Sequence, residues 1–375
     1  MRFFRWASDR IGDQGLVAFI SNSSFIDARG FDGFRKIVSQ DFQEIWVVNL
    51  KGNARTSGQR RKQEAGNVFN DKIRVGVAIY FCLRNPELSG CKISYISVDD
   101  FLPALEKRRW LRYHTLSKLS RKGEFTRITP GPNGEWLNQP HEDWSTWLPV
   151  ASREVKNGKH AEAIFKLYSL GVVTARDEWV YGLTAAEIKS KVQYLISCYE
   201  AMRTRDATSD GGIKWTRALR TNLAKGMRYV YTAKSIVDSI YRPFVKLKLY
   251  FNSQLNEMPS RQKVLFPIRK ESPPNLAIGI SGIPHAKPFQ TLAVAVIPCL
   301  DLLEKTQFLP FSIYGKDGTI QDNITDWALN QFQINYPDLT ITKRDIFNYV
   351  YAVLHDPKYI RKYALNLQAE FPRIP

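Results

Sequence analysis

Apolar positions along the first hundred residues fall into short, nearly continuous runs. LVAFIS (Leu16–Ser21), EIWVVNL (Glu44–Leu50) and VGVAIYFCL (Val75–Leu83) are rich in Val and Ile, the pattern of strands buried on both faces. Between the first two, FDGFRKIVSQDF sets Phe31, Phe34, Ile37 and Val38 at helical spacing. This predicts a crossover helix and a parallel strand pair. CKISYISV (Cys91–Val98) alternates more cleanly and predicts an edge strand. Only the amphipathic lead-in Met1–Ile11 precedes Leu16, whereas a doubly wound domain needs earlier strands. Residues 1–100 are therefore expected to form an incomplete Rossmann-like α/β sheet.

From Asp99 to Gly158 the pattern breaks up around Trp110, Trp136, Trp144 and Trp147, so 101–170 reads as an irregular connection whose tryptophans fill core positions. HAEAIFKLYS (His160–Ser169) has helical spacing. Residues 171–375 then read as a mixed α+β domain. Its first helix starts at Thr184 with Glu187 three positions on, a capping box, and carries Ile188, Val192, Leu195 and Ile196 on one face. LAIGIS (Leu276–Ser281) and TLAVAVIP (Thr291–Pro298) predict core strands. The final segment predicts a helical hairpin: Thr325, then Thr342 with Asp345, then Asp356 with Pro357 mark three helix starts.

Charge changes the picture more than any motif does. Lys+Arg 54 against Asp+Glu 36 gives +18 and a pI near 9.7, a balance suited to a polyanion such as DNA or RNA. No run approaches the ~18 apolar residues of a spanning helix, and the opening residues lack a signal-peptide core. No membrane partner and a cytoplasmic location are expected. Cys82, Cys91, Cys198 and Cys299 are scattered, which argues against a metal site or disulfide framework.

Three groups are candidate DNA contacts. The loop Lys51–Lys72 has no helix or strand periodicity and carries Arg55, Arg60, Arg61 and Lys62; it reads either as a phosphate-binding loop or as a solvated one. In GVVTARDEWVY (Gly171–Tyr181), the turn around Thr174, Arg176 and Asp177 offers the donors and acceptors of base-edge readout, or else a plain Arg–Asp pair. Further on, Arg242, Lys246 and Lys248 interleave with Tyr241, Phe244, Tyr250 and Phe251. Alternation in VKLKLYF puts Lys246, Lys248 and Tyr250 on one face, a phosphate track or a lysine-protected edge strand. Asp177 with Glu187-x-Lys189 imitates a nuclease metal site, but Glu-x-Lys on a helix sends its side chains apart.

Phosphate-binding glycine loops, a nucleophile elbow and metal-spaced His/Cys sets are absent from the sequence. The segments LVAFISNSSFIDARGFDGFRKIV, WVVNLKGNARTSGQRRKQEAGNVF and VGVAIYFCLRNP resemble the last strands of the adenine-N6 methyltransferase domain of Type ISP restriction-modification enzymes. GVVTARDEWVY, YRPFVKLKLYF, YGKDGTIQDNITDWAL and the closing YVYAVLHDPKYIRKYALNLQAEFPRIP resemble their C-terminal specificity domain. The resemblance implies a target-recognition portion acting on double-stranded DNA. In that family the S-adenosyl-L-methionine site and the Asn-Pro-Pro-Tyr motif lie upstream of the segment where this chain starts, so no cofactor or catalytic residue is expected in this chain. Asn85-Pro86 and Asp356-Pro357 do not replace that motif. Two other readings stay open: a methyltransferase completed by a separately encoded upstream methyltransferase, translocase and nuclease part, or a remnant whose Leu16–Ser21 edge aggregates.

Overall fold

A computed structural model of the chain describes residues 2–56, 58–132, 134–139, 141–160, 162–206, 211–267, 274–315 and 317–375. The chain divides into two compact units, Met1–Pro140 and His141–Pro375. That division falls inside the segment 101–170.

In the first unit five strands, β1 (Gly15–Asn22), β2 (Glu44–Asn49), β3 (Val77–Arg84), β4 (Lys92–Ser97) and β5 (Thr126–Ile128), form one sheet in the order β1-β3-β2-β4-β5. The expected helix is present at Asp32–Asp41. The expected parallel pair is not: β3 lies antiparallel between β1 and β2. The physical reason is that β3 is apolar along its length, burying Val77, Ala78, Tyr80 and Cys82, and so serves a neighbour on each side. β4 is interior, parallel to β2 and capped by the short β5. β1 occupies the other margin. It buries Val17 but leaves Leu16 and Ile20 more than half exposed, so it is a one-sided strand rather than one buried on both faces.

The connection after β2 is more structured than its sequence suggests. Residues Gly58–Glu64 form a helix with no buried residue, and the segment is tied down from behind by Lys107, on the helix Ala104–Tyr113. The Lys107 side chain is fully buried and its Nζ donates to the carbonyls of Glu64 and Gly66, both at 2.8 Å. Burial pulls its pKa down to about 8, against a partial opposing pull from Glu64. A base held below its ordinary 10.5 binds fewer protons in the folded state across that window, so this group makes stability rise with pH between about 8 and 10.5. Denaturation midpoints of wild type and Lys107→Met, compared from pH 8 to pH 10, are expected to show that rise in the wild type alone.

The second unit holds two four-stranded sheets. Among its strands are β6 (Leu148–Pro149), β7 (Ser169–Leu170), β8 (Tyr181–Gly182), β9 (Ile236–Arg242), β10 (Val245–Tyr250), β11 (Ala277–Ile280), β12 (Thr291–Val294), β13 (Ile297–Pro298) and β14 (Gln307–Pro310). One sheet runs β13-β9-β10-β8, the other β12-β11-β14-β7. The run Thr291–Pro298 thus serves both sheets, which its sequence did not predict. β6 pairs antiparallel with Arg373–Ile374.

The predicted helix Ala185–Thr204 forms, with Thr184 accepting from the Glu187 amide and Ile188, Val192 and Leu195 buried. The helices Asp326–Asn335, Lys343–His355 and Pro357–Lys362 start at Thr325, at the Thr342/Asp345 capping box and at Asp356, as their cap residues predict. Trp136 and Trp144 are buried, Trp144 donating to Glu370 at 2.8 Å.

His160–Ser169 is not a helix. Its described residues pass through bends and an isolated bridge into β7, with Phe165 bridging to Ile324 and the Leu167 backbone bonded to the Asn323 side chain. Ile164 and Phe165 are both fully buried although adjacent in sequence. An apolar core on both sides of the segment, rather than on one helical face, explains the discrepancy. Of the polar stretch Arg203–Gly212, residues 207–210 lie outside the described residues.

Candidate nucleic-acid interface

The Gly171–Tyr181 stretch is a structural junction. Val172, which is buried, bonds through its amide to the Pro298 carbonyl and the half-buried Val173 bridges to Met258, so the segment is tied to chain on both of its edges. The turn that follows lifts Ala175 to φ 56°. Thr174 is buried; its hydroxyl donates to Asp177 Oδ1 and accepts from the Arg176 amide at 3.2 Å.

Arg176 points inward, not toward solvent. It is 0% exposed. Its guanidinium donates to the Leu255 carbonyl at 3.1 Å and to the Thr216 hydroxyl, and lies 3.4 Å from Glu257. Burial lowers its pKa, and Glu257 opposes that shift. Base-edge readout by Thr174, Arg176 and Asp177 is therefore corrected: these side chains hold the turn together. Asp177 uses its second oxygen to accept from the Tyr241 hydroxyl at 2.8 Å. Glu187, the other member of the nuclease-like pattern, accepts from the Leu183 amide at 2.9 Å and pairs with Lys191.

What Asp177 holds is the neck of the β9–β10 hairpin, beside its turn. Tyr241 packs against the Tyr181 ring at 4.7 Å and carries the Arg242 guanidinium over its own ring at 4.1 Å. Burial, followed by the bond to Asp177, raises the Tyr241 pKa. Arg242 also donates to the Tyr241 carbonyl at 2.8 Å and to Cys299 Sγ at 3.1 Å, so it braces the hairpin and is only half-exposed.

β10 is not an edge strand: β9 and β8 flank it. Its outer end is wet and its inner end dry. Lys246 is exposed and makes no ion pair among the described residues, while Lys248 pairs with Asp238 at 2.6 Å. Tyr250 is 1% exposed and its hydroxyl accepts from the Thr232 amide at 2.9 Å. Tyr250 is thereby corrected as a DNA contact, because alternation along a strand says nothing about where that strand enters the core.

In the first unit, Arg55 and Lys62 are exposed. Arg60 pairs with Asp27 at 3.2 Å and Arg61 donates to the Ala65 carbonyl at 2.7 Å. The loop thus presents Arg55 and Lys62 outright and spends Arg61 on its own backbone. His285 of the GIPHAKP loop is buried between the carbonyls of Lys287 and Leu367.

The sequence pattern of the Type ISP C-terminal specificity domain matches residues 163–375. The chain belongs to the Type ISP family. Three solved structures resemble this Type ISP chain over 100% of its length. A cryo-EM structure of a DrdV–DNA complex is 49% identical with a TM-score of 0.74, the match covering 37% of that chain. A nuclease-deletion mutant of the Type ISP restriction-modification enzyme LlaGI, in complex with a DNA substrate mimic, is 28% identical with a TM-score of 0.69 over 34% of its chain. The ATP-dependent Type ISP restriction-modification enzyme LlaBIII, bound to DNA, is 26% identical with a TM-score of 0.72 over 25% of its chain. The Type ISP chain described here spans between 25% and 37% of the length of these relatives. No curated protein matches it. Among the described residues, no helix is long and apolar enough to cross a membrane and no cluster of three metal-ligating side chains occurs.

Proposed function

We propose that this chain recognises a specific sequence in double-stranded DNA within a Type ISP restriction-modification system, working in the cytoplasm. The observation that carries the reading is the β9–β10 hairpin: on the family's specificity domain, it is braced from behind and exposes Lys246, with Lys248 half-exposed beside Asp238. DNA is the bound partner in the three solved relatives, and a chain of +18 net charge suits the same partner. Phosphate contacts fall to Lys246 and Lys248 and to the exposed Arg55 and Lys62, with Arg60 available once it leaves Asp27. Base readout falls to hairpin and loop surfaces outside the Thr174–Asp177 turn, whose Thr174 and Arg176 are buried.

Selection from a randomised duplex pool at near-physiological salt tests this reading. One enriched asymmetric motif supports it, and binding without enrichment defeats sequence-specific recognition by this chain. For phosphate contacts, log affinity should fall with log salt by about 0.9 per contact. The double variant Lys246→Ala/Lys248→Ala is accordingly expected to flatten that slope by about 1 to 2 on every duplex. An unchanged slope removes both lysines from the interface.

A second reading has its own support in β1. Its free edge pairs with no other described strand, and Leu16 and Ile20 lie exposed along it. A separately encoded upstream part that adds a strand there would complete a methyltransferase sheet and bring the S-adenosyl-L-methionine site with it. Co-expression with such a part, followed by a test for adenine methylation, decides that reading.

A further inference from the structure

We infer that Phe244, at the tip of the β9–β10 hairpin, is a wedge that enters the base stack of bound duplex DNA and parts one base step. The inference rests on the DNA-recognition reading above and deepens it.

Phe244 is 85% exposed, more than any other large apolar side chain described as exposed. Single exposed apolar residues are ordinary on protein surfaces, so exposure alone decides nothing. The backbone beneath it is not ordinary. Arg242 pairs with Val245 across the hairpin, which leaves Pro243 and Phe244 as a two-residue connection. Phe244 holds φ 65°, a left-handed conformation that favours Gly or Asn and is an outlier for a bulky side chain. Pro at the first turn position with a positive φ at the second matches a type II turn, whose second central residue is commonly Gly. Phenylalanine there is unfavourable for the turn and unfavourable for solvation, and no contact within the protein compensates for either.

The neck of the hairpin, just below the turn, is built to keep this tip in place. β9 carries one extra residue, Tyr241, where the register shifts between Val245 and Lys246. That bulged residue is fastened by the Asp177 carboxylate, the Tyr181 ring and the Arg242 guanidinium. The Cys299 thiol donates to the Tyr241 carbonyl from the other side. β8 and β13 pair with the two hairpin strands on their outer edges. A stiff support is what a wedge requires, since parting stacked bases is uphill and a mobile tip would bend away first.

Chemistry names the occupant. The projection is narrow, a single ring with the half-exposed Val245 beside it, and cations stand on its flanks at Arg242, Lys246 and Lys248. An aromatic ring between bases with cations on the adjoining phosphates satisfies both features at once. A protein groove lined with carboxylates is the competing partner for the same tip.

The test uses the full chain and the duplex that it selects, with 2-aminopurine placed in turn at each step of the site. Binding is read by anisotropy and unstacking by 2-aminopurine fluorescence. Wild type is expected to brighten the probe at one step. Phe244→Ala is expected to keep affinity to within about tenfold and to lose the brightening, while Phe244→Trp retains it. Phe244→Gly should also lose it yet melt no lower than wild type, because glycine relieves the turn; this separates loss of the wedge from loss of the fold. Binding with no brightened step, or brightening that survives in Phe244→Ala, overturns the wedge alone. Failure of the wild type to bind its selected duplex overturns the DNA reading and the wedge together.

Discussion

Arg176→Ala is expected to destabilise the His141–Pro375 unit by about 3 to 5 kcal/mol, without any change in which DNA sequence is preferred by the molecules that remain folded. The guanidinium is a charge taken wholly out of water, bonded to Leu255, Thr216 and Glu257. Alanine leaves the Leu255 carbonyl buried without a donor, the Glu257 carboxylate without its cation, and a cavity. A base-reading arginine would behave in the opposite way, with the fold intact and the sequence preference relaxed. Urea denaturation followed by tryptophan fluorescence, run beside duplex selection below the transition, separates the two. Intact stability with relaxed selectivity would return Arg176 to the interface.

Asn323→Ala is expected to cost about 3 kcal/mol. Asn323 is fully buried, and its side chain accepts from the Leu167 amide at 2.7 Å while donating to the carbonyls of Leu167 and Pro310 at 2.9 and 2.7 Å. All three backbone groups lose their partner at once. Asn323→Asp should be worse, since a carboxylate would face two carbonyl oxygens with no proton to offer. Denaturation midpoints give the loss, and faster hydrogen exchange at Leu167 would locate it. If both variants melt like the wild type, the non-helical conformation of His160–Ser169 does not depend on Asn323.

These two residues also mark the boundary of what sequence patterns convey. Helices with local signals were legible: Thr184 and Glu187, Thr342 and Asp345, and Asp356 with Pro357 lie within a few residues of what they cap. Four of the five strands of the first sheet were legible as apolar or alternating runs, but β5 and the strand order were not. Placing β3 between β1 and β2 is a choice among three similar apolar runs, and nothing within any one run encodes it. His160–Ser169 carries helical spacing, yet Asn323, 156 positions from Leu167, supplies bonds that an isolated helix would have found within itself. Arg176 failed the same way. Its partner Glu257 lies 81 residues on, and an arginine in a polar turn is ordinarily a surface residue. At the hairpin, alternation correctly grouped Lys246 with Lys248 but could not show that Tyr250, two residues further, is already inside the core.

The pairing of Leu148–Pro149 with Arg373–Ile374 brings the two extremities of the second unit onto a single short seam. The Val150 amide adds a bond to the Pro372 carbonyl at 2.9 Å. With Leu148 paired to Ile374, the two margins of the second unit stand side by side, so an exchange with the counterpart from another Type ISP protein would be joined at neighbouring points. Exchange of whole units at that seam, rather than grafting of single turns such as Thr174–Asp177, is the route that this architecture opens to transplanting sequence preference.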